Sequence, residues 1–389
     1  MLTHPKASLL AKALAVVVSA TFLAGCGAGG GGTEKGTESP GTGSTKKAQK
    51  TQKAQFTLPA PTGKYEVGTK SIHLVDEGRQ DPWKPDRKRE TMINVWYPAK
   101  DADRYPLQPW VPAGAQGAVD MMVAPAGVPK GAVDWAGAKT SGHVGAPQPA
   151  GKWPVVLYSP GLGGQREGGT VLVQDLASHG YVVVTMDHTY ETTVEFPGGR
   201  VETPVHIPKE QLGKAADARV SDTRFVLDEL GKRGWNLDKV GMFGHSFGGF
   251  TAAEAMLQDK RIDAGMNLDG HLFTEFGDVA KRGLDGPFFL YGRQDKTKSG
   301  KVVDHSPFTS LDPTWGLFWK NQKAPKKYAV LANSQHQSFT DMQVILPQLT
   351  KPLGLKAGQW AGAIGTIDPQ ESIKKQRTTV LDFFQASLS

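Results

Sequence analysis

Cysteine is nearly absent from this 389-residue sequence: Cys26 stands alone, so no disulfide can form within the chain. No apolar run reaches the roughly 20 residues that a membrane-spanning helix requires. The run Ala13 to Ala24 is too short and is interrupted by Ser19 and Thr21. Charged residues are only 21% of the chain against 39% hydrophobic, which excludes a largely disordered polymer. No internal repeat is visible, and no basic stretch carries interleaved aromatics. The formal net charge of +7 therefore gives no case for nucleic acid. Its Lys46, Lys47, Lys50 and Lys53 and its Arg87-Lys88-Arg89 read as solvated segments, and a basic balance also suits an anionic envelope surface. His, Asp and Glu show no metal-ligand spacing, so neither a metal nor an organic cofactor is expected. What remains is enough apolar sequence for one large core.

The position of Cys26 carries information that its number does not. Lys6 and Lys12 form a short positive start, the apolar run follows, and Leu23-Ala24-Gly25-Cys26 closes it. This pattern resembles a bacterial lipoprotein signal, in which the leader is removed before the cysteine and the thiol is lipidated. The resemblance implies a signal peptide over residues 1–25 and a protein exported and lipid-anchored through Cys26 on the outer face of the cell membrane, or released to the medium. Residues 26–55 are mostly Gly, Thr, Ser, Lys and Gln with almost no apolar side chains, the composition of a flexible tether.

Folded structure is expected over 56–389 as a single domain. Tyr65–Val67, Ser71–Leu74 and Thr91–Tyr97 alternate apolar and polar residues and read as antiparallel strands, the last stopped by Pro98. Residues 101–151, rich in Ala, Gly and Pro, show no period and are expected as an irregular excursion or a cap. Beyond them the order becomes regular. Apolar strands at Val155–Tyr158, Tyr181–Met186, Val240–Phe243, Ile262–Leu268, Pro287–Tyr291 and Tyr328–Leu331 alternate with helical patterns at Thr170–His179, Ala215–Leu230 and Gly248–Gln258, and Thr378–Leu388 closes the chain. That alternation predicts an α/β architecture: a mostly parallel central sheet with antiparallel N-terminal strands and helices on both faces.

One motif falls at a strand-to-helix junction. Gly244-His245-Ser246-Phe247-Gly248 is G-x-S-x-G, with a strand before and a helix after. A tight turn there thrusts the serine oxygen outward and leaves no room for side chains two residues to either side, hence the glycines. The motif in this context predicts Ser246 as the nucleophile of a serine esterase with an α/β-hydrolase fold. The oxyanion of an acyl-transfer intermediate needs backbone N–H donors. Phe247 supplies one, and the loop Ser159-Pro160-Gly161-Leu162-Gly163-Gly164 the other, from Leu162 or, next, Gly163.

The general base should be a late histidine. His271 lies too close to Asp269 in sequence and His305 has no strand just before it, whereas His336 follows Tyr328–Leu331 by a short loop. The acid is open between Asp269, after one strand, and Asp295, after the next. Position alone leans to Asp295. Asp187, Asp217 and Asp222 precede the serine.

Several segments together resemble the plasma-type platelet-activating factor acetylhydrolases and their bacterial relatives. They are Val95-Trp96-Tyr97-Pro98, Ser159–Gly163, Gly244–Gly249, Asn267-Leu268-Asp269-Gly270 and Gln335-His336-Gln337-Ser338-Phe339. The resemblance implies Asp269 as the acid, leaving Asp295 as the alternative, and Leu162 and Phe247 as oxyanion donors. It implies hydrolysis of short-chain acyl esters or short-chain and oxidised phospholipids by a monomer without cofactor. Residues 101–151 have no counterpart in it. Two other readings stand beside it: a polyester, cutin-type or general lipase, and a non-catalytic surface lipoprotein that binds a ligand.

Overall fold

The computed structural model describes residues 52–296, 300–356 and 358–389. The leader, Cys26 and the tether up to residue 51 lie outside the described residues. Lys53–Ser389 is one compact unit. Its first ordered contact is a bridge between Ala54 and Val133.

The strands are β1 (Glu66–Gln80), β2 (Lys88–Ala99), β3 (Leu107–Pro109), β4 (Lys139–Val144), β5 (Val155–Ser159), β6 (Val182–Met186), β7 (Val194–Glu195), β8 (Val201–Glu202), β9 (Val240–His245), β10 (Ala264–Leu268), β11 (Phe288–Lys296), β12 (Val302–Asp304) and β13 (Lys326–Leu331). The α-helices are α1 (Gln116–Val123), α2 (Thr170–Ser178), α3 (Leu212–Lys232), α4 (Phe247–Gln258), α5 (Val279–Arg282), α6 (Pro313–Asn321), α7 (Met342–Leu349), α8 (Ala361–Ile364) and α9 (Pro369–Ser387). One sheet runs β12-β11-β10-β9-β5-β6-β2-β1-β4-β3, with β13 also paired to β11, while β7 and β8 pair separately. Strands β5, β6, β9, β10, β11 and β13 are mutually parallel where they pair, and β2 is antiparallel to both β1 and β6. This is the mixed sheet that the strand and helix order predicted.

The period-two geometry of a strand divides the core. Val155 and Leu157 of β5 pack with α3 and α4 residues such as Val226, Leu230 and Phe250. Val156 and Tyr158, between and after them, pack on the other face with Leu176 of α2 and Phe384 of α9. Because helices cover both faces, these strands are apolar without interruption. No helix among the described residues is long and apolar enough to cross a membrane.

Three local expectations change. The two N-terminal strands are one, β1, because Glu66 to Asp76 pairs without a break against β2. Pro98 does not stop β2, which continues to Ala99. The pairing of β2 with β6 ends at Trp96, so the missing N–H of Pro98 falls where β6 no longer lies alongside. Residues 101–151 are not an irregular excursion: they return to the sheet as β3 and β4, the latter parallel to β1. Between them α1 and the buried Trp110 and Trp135 form a third core with Phe56 and with Ile345 and Leu346 of α7. The Trp110 indole donates to Asp341 (2.8 Å), whose carboxylate also accepts the N–H groups of Thr170 and Val171 at the start of α2. Apolar residues there were too sparse and too unevenly spaced to show a period, yet they converge in space.

Candidate active site

Ser246 sits between the end of β9 and the start of α4 with φ 56° and ψ −124°. Such a conformation costs a non-glycine residue about 1–3 kcal/mol and persists only when its surroundings enforce it. Those surroundings explain the glycines. A Cβ on Gly248 would lie 2.0 Å from the Ser159 carbonyl oxygen, and one on Gly244 would lie 2.3 Å from the backbone of Gly248. The Ser246 N–H donates to the Leu268 carbonyl (2.8 Å), which ties the elbow to the end of β10.

Asp269 follows β10 directly, also at positive φ (57°). The Asn267 side chain clasps this turn, accepting from Gly270 N–H (2.8 Å) and donating to the Gly270 carbonyl (2.7 Å). The Asp269 carboxylate is buried and saturated. Its Oδ2 accepts from His336 Nδ1 (2.6 Å) and Arg293 Nη1 (2.8 Å); its Oδ1 accepts from His305 Nδ1 (2.6 Å) and the Arg293 backbone N–H (3.0 Å). Burial alone would raise its pKa, but the charges of His305 and Arg293 and the hydrogen bonds from both histidines hold it well below the usual carboxylate range. Asp295, the alternative acid, lies on β11 and meets Arg293 Nη2 at 3.2 Å. The histidine late in the chain thus meets Asp269.

His336 opens a short helical turn, His336–Phe339, which Gln335 and Ser338 cap reciprocally. Its imidazole is 29% exposed while Asp269 beneath it is sealed, so one ring nitrogen is bound and the rest of the ring is partly open to solvent. His245, the residue before the serine, donates from Nε2 to the His336 carbonyl (2.9 Å), and the two rings lie 4.5 Å apart. Burial, then repulsion from His336, lowers the His245 pKa to about 3. It is a neutral strut that joins the two halves of the site.

The loop bearing Leu162 lies against the serine: a Cβ on Gly161 would stand 3.3 Å from Ser246 Cβ. The loop is shaped by a turn from Gly164 N–H to the Gly161 carbonyl (2.9 Å) and by Gly163 at φ 74°. Arg219 of α3 holds it from behind. Its guanidinium donates to the Pro160 (2.6 Å) and Gly161 (3.1 Å) carbonyls, pairs with Glu191 (2.6 Å) and stands 5.0 Å from the Phe247 ring centroid. One buried cation therefore touches both segments from which oxyanion donors were expected. Arg219→Lys keeps the charge but cannot fork to both carbonyls and Glu191. It is expected to lower kcat roughly 10- to 100-fold, short of the 10²–10³ for loss of an oxyanion donor outright, with KM little changed. Steady-state kinetics beside a melting curve check this.

His188 makes a second histidine array, between Ser159 Oγ (2.9 Å) and Asp222 (3.1 Å). All three residues are at most 1% exposed, so no substrate reaches them. Asp222 is committed to Arg89 and Arg79.

Sequence reasoning passed over Arg219 and Arg293, and set His305 aside as a base for want of a strand before it. Arg219 was readable, because it lies in the apolar stripe of α3 among Ala215, Ala216, Val220 and Val226. A charge in such a stripe needs a buried partner. His305 gave little signal: the strand before it, β12, is only three residues long. His271 points to Asp312 (2.9 Å).

The parallel sheet, the serine elbow and a histidine–carboxylate pair at the carboxyl ends of the strands define an α/β-hydrolase of the esterase class. A family model described as "Platelet-activating factor acetylhydrolase, isoform II" matches residues 50–195 and 207–389, and the chain belongs to that family. A "Probable 1-alkyl-2-acetylglycerophosphocholine esterase" of Arthroderma benhamiae is 28% identical over 86% of this chain and 89% of its own. A "Platelet-activating factor acetylhydrolase" of Cavia porcellus is 24% identical, covering 85% and 78%. Among solved structures, a ferulic acid esterase from Streptomyces cinnamoneus superposes with a TM-score of 0.72 at 34% identity, over 85% of this chain and 93% of that one.

Proposed function

We propose that the protein hydrolyses short-chain acyl esters, including acetylated or oxidised phospholipids, through an acyl-enzyme on Ser246. The observation that carries this reading is the short hydrogen bond from His336 Nδ1 to the buried Asp269, next to the strained serine elbow. His336 Nε2 takes the proton of Ser246 Oγ as that oxygen attacks the ester carbonyl. Asp269 holds the imidazole in the required tautomer and stabilises its charged form. The N–H groups of Leu162 and Phe247 receive the oxyanion. The imidazolium then protonates the departing alcohol, and water repeats the sequence to release the acid.

The substrate class rests on the family and on the relatives named for acetylglycerophosphocholine hydrolysis. The ferulic acid esterase supports a second reading, an ester with an aromatic acyl group. Phe273 and Phe276, stacked 4.9 Å apart and both in contact with Phe247, would suit one. Turnover of 1-alkyl-2-acetylglycerophosphocholine, long-chain phosphatidylcholine, p-nitrophenyl acetate, ethyl ferulate and an aliphatic polyester separates the readings. The acetyl esters are expected to be the best substrates. A kcat/KM for ferulate or polyester at least tenfold above both acetyl esters would replace the phospholipid reading.

The motif at Cys26 and the apolar run before it support an exported, lipid-anchored protein held beside such substrates. Fatty-acid labelling of the expressed full chain is expected to vanish in Cys26→Ala. Label that persists would refute lipidation at this residue.

A further inference from the structure

We propose that His305 is a positioning residue: a doubly protonated second histidine that fixes Asp269 and sets the acid limb of the pH–activity profile. The inference rests on the reading of Ser246, His336 and Asp269 as the catalytic groups. Asp269 carries two imidazoles on opposite oxygens, His336 on Oδ2 and His305 on Oδ1, both at 2.6 Å. The second ring is inaccessible to substrate. It is 4% exposed and is stacked on the buried Trp315, with ring centroids 3.8 Å apart and ring planes 25° from parallel.

The protonation state of His305 follows from its partners. Nδ1 faces Asp269 and Nε2 faces Asp312 at 3.2 Å. A neutral imidazole would aim a lone pair at one of these carboxylates, so both nitrogens carry hydrogen. Burial opposes the charge, yet the two carboxylates raise the pKa to about 9. Among the described residues, the other ionisable groups facing the array are Arg293 on Asp269, Asp295 on Arg293, His271 on Asp312 and His245 against the His336 ring. The Trp315 indole donates to the Gly270 carbonyl (2.8 Å), so the aromatic support of His305 also braces the turn that presents Asp269.

Two consequences follow. Asp269 cannot rotate away from His336, because every lone-pair direction is occupied. The cation on its far oxygen also partly offsets the carboxylate charge that faces the His336 ring. Acting base and acting cation are separated by one carboxyl group.

The test is the pH dependence of kcat/KM for p-nitrophenyl acetate in His305→Gln and His305→Asn. Glutamine retains an N–H donor for Asp269 without the charge. The acid limb is expected to move to higher pH by about one unit, and kcat at the optimum to fall roughly 10- to 100-fold with KM within about twofold. A merely structural residue would reduce the folded fraction and leave the limb in place. For a variant that does not fold, nitrogen-15 spectra of the wild-type imidazoles at pH 7.5 serve instead, with both His305 nitrogens expected to be protonated. A limb that coincides with wild type in a folded variant, or an unprotonated His305 nitrogen, would overturn the inference. Ser246→Ala and His336→Ala run in parallel: activity surviving in those would remove the catalytic reading itself, whereas their loss with an unmoved His305 limb would remove only this inference.

Discussion

Ser246→Ala is expected to lower kcat for a short-chain p-nitrophenyl ester by about 10⁵- to 10⁶-fold, because without the hydroxyl no acyl-enzyme can form. What survives should be the small rate from a bound ester beside oxyanion donors and a histidine that can activate water. The substitution removes one oxygen and leaves the elbow intact. Alanine must adopt the same φ of 56°, enforced by the contacts of Gly244 and Gly248 and by the hydrogen bond from residue 246 N–H to Leu268. The melting temperature should therefore stay within a few degrees of wild type, which separates lost chemistry from lost fold. Burst kinetics in the wild type, absent in the variant, give an independent readout of the acyl-enzyme. Turnover within tenfold of wild type would end the assignment of Ser246.

Asp269→Asn should be nearly as damaging, about 10⁴-fold in kcat, while Asp295→Asn should stay within about threefold of wild type. Asparagine can accept on only one atom. Its NH₂ group would face His336, His305 or Arg293, all of them donors. The base would lose both its tautomer and the anion that stabilises its charged form. Asp295 is a third exposed and salt-bridged to Arg293, the same cation that grips Asp269, so its loss should reach Asp269 through that arginine. A large loss confined to Asp295→Asn would reverse the choice of acid.

The same substitution makes a prediction for stability against pH. Asp269 is held well below its ordinary value in the folded chain. Its contribution is then fully present above the unfolded carboxylate pKa, near 4, and is lost as pH falls toward the folded value. His305 has the opposite sign. Raised to about 9, it stabilises fully below about pH 6.5 and loses that contribution as pH rises through 9. Melting temperature against pH should thus show a plateau between these limits, and Asp269→Asn should lower it.

How much of this was legible in the chain depends on the range of the forces involved. The elbow was readable because its steric demand is local: the residues that must be small lie two positions from the serine. The α/β alternation was readable for the same reason, since a strand covered on both faces must be apolar throughout and a helix between strands must repeat every three to four residues. Pro98 was misread because its effect depends on whether a neighbouring strand is present at that level, which β6 decides. The segment 101–151 was opaque because its core draws on Phe56 and on α7, far apart in sequence.

By itself, then, the sequence determined the kind of sheet and where the elbow at Ser246 falls, and it pointed to a late histidine. Only the tertiary structure decided what lies against them. His336 and Asp269 are 67 residues apart, His305 and Asp269 are 36, and Arg219 reaches back 59 to the Pro160 carbonyl. No period or motif encodes such pairings. They follow from the order in which β9, β10, β11 and β13 lie side by side, which carries the ends of these strands together and leaves the buried Asp269 carboxylate between two imidazoles.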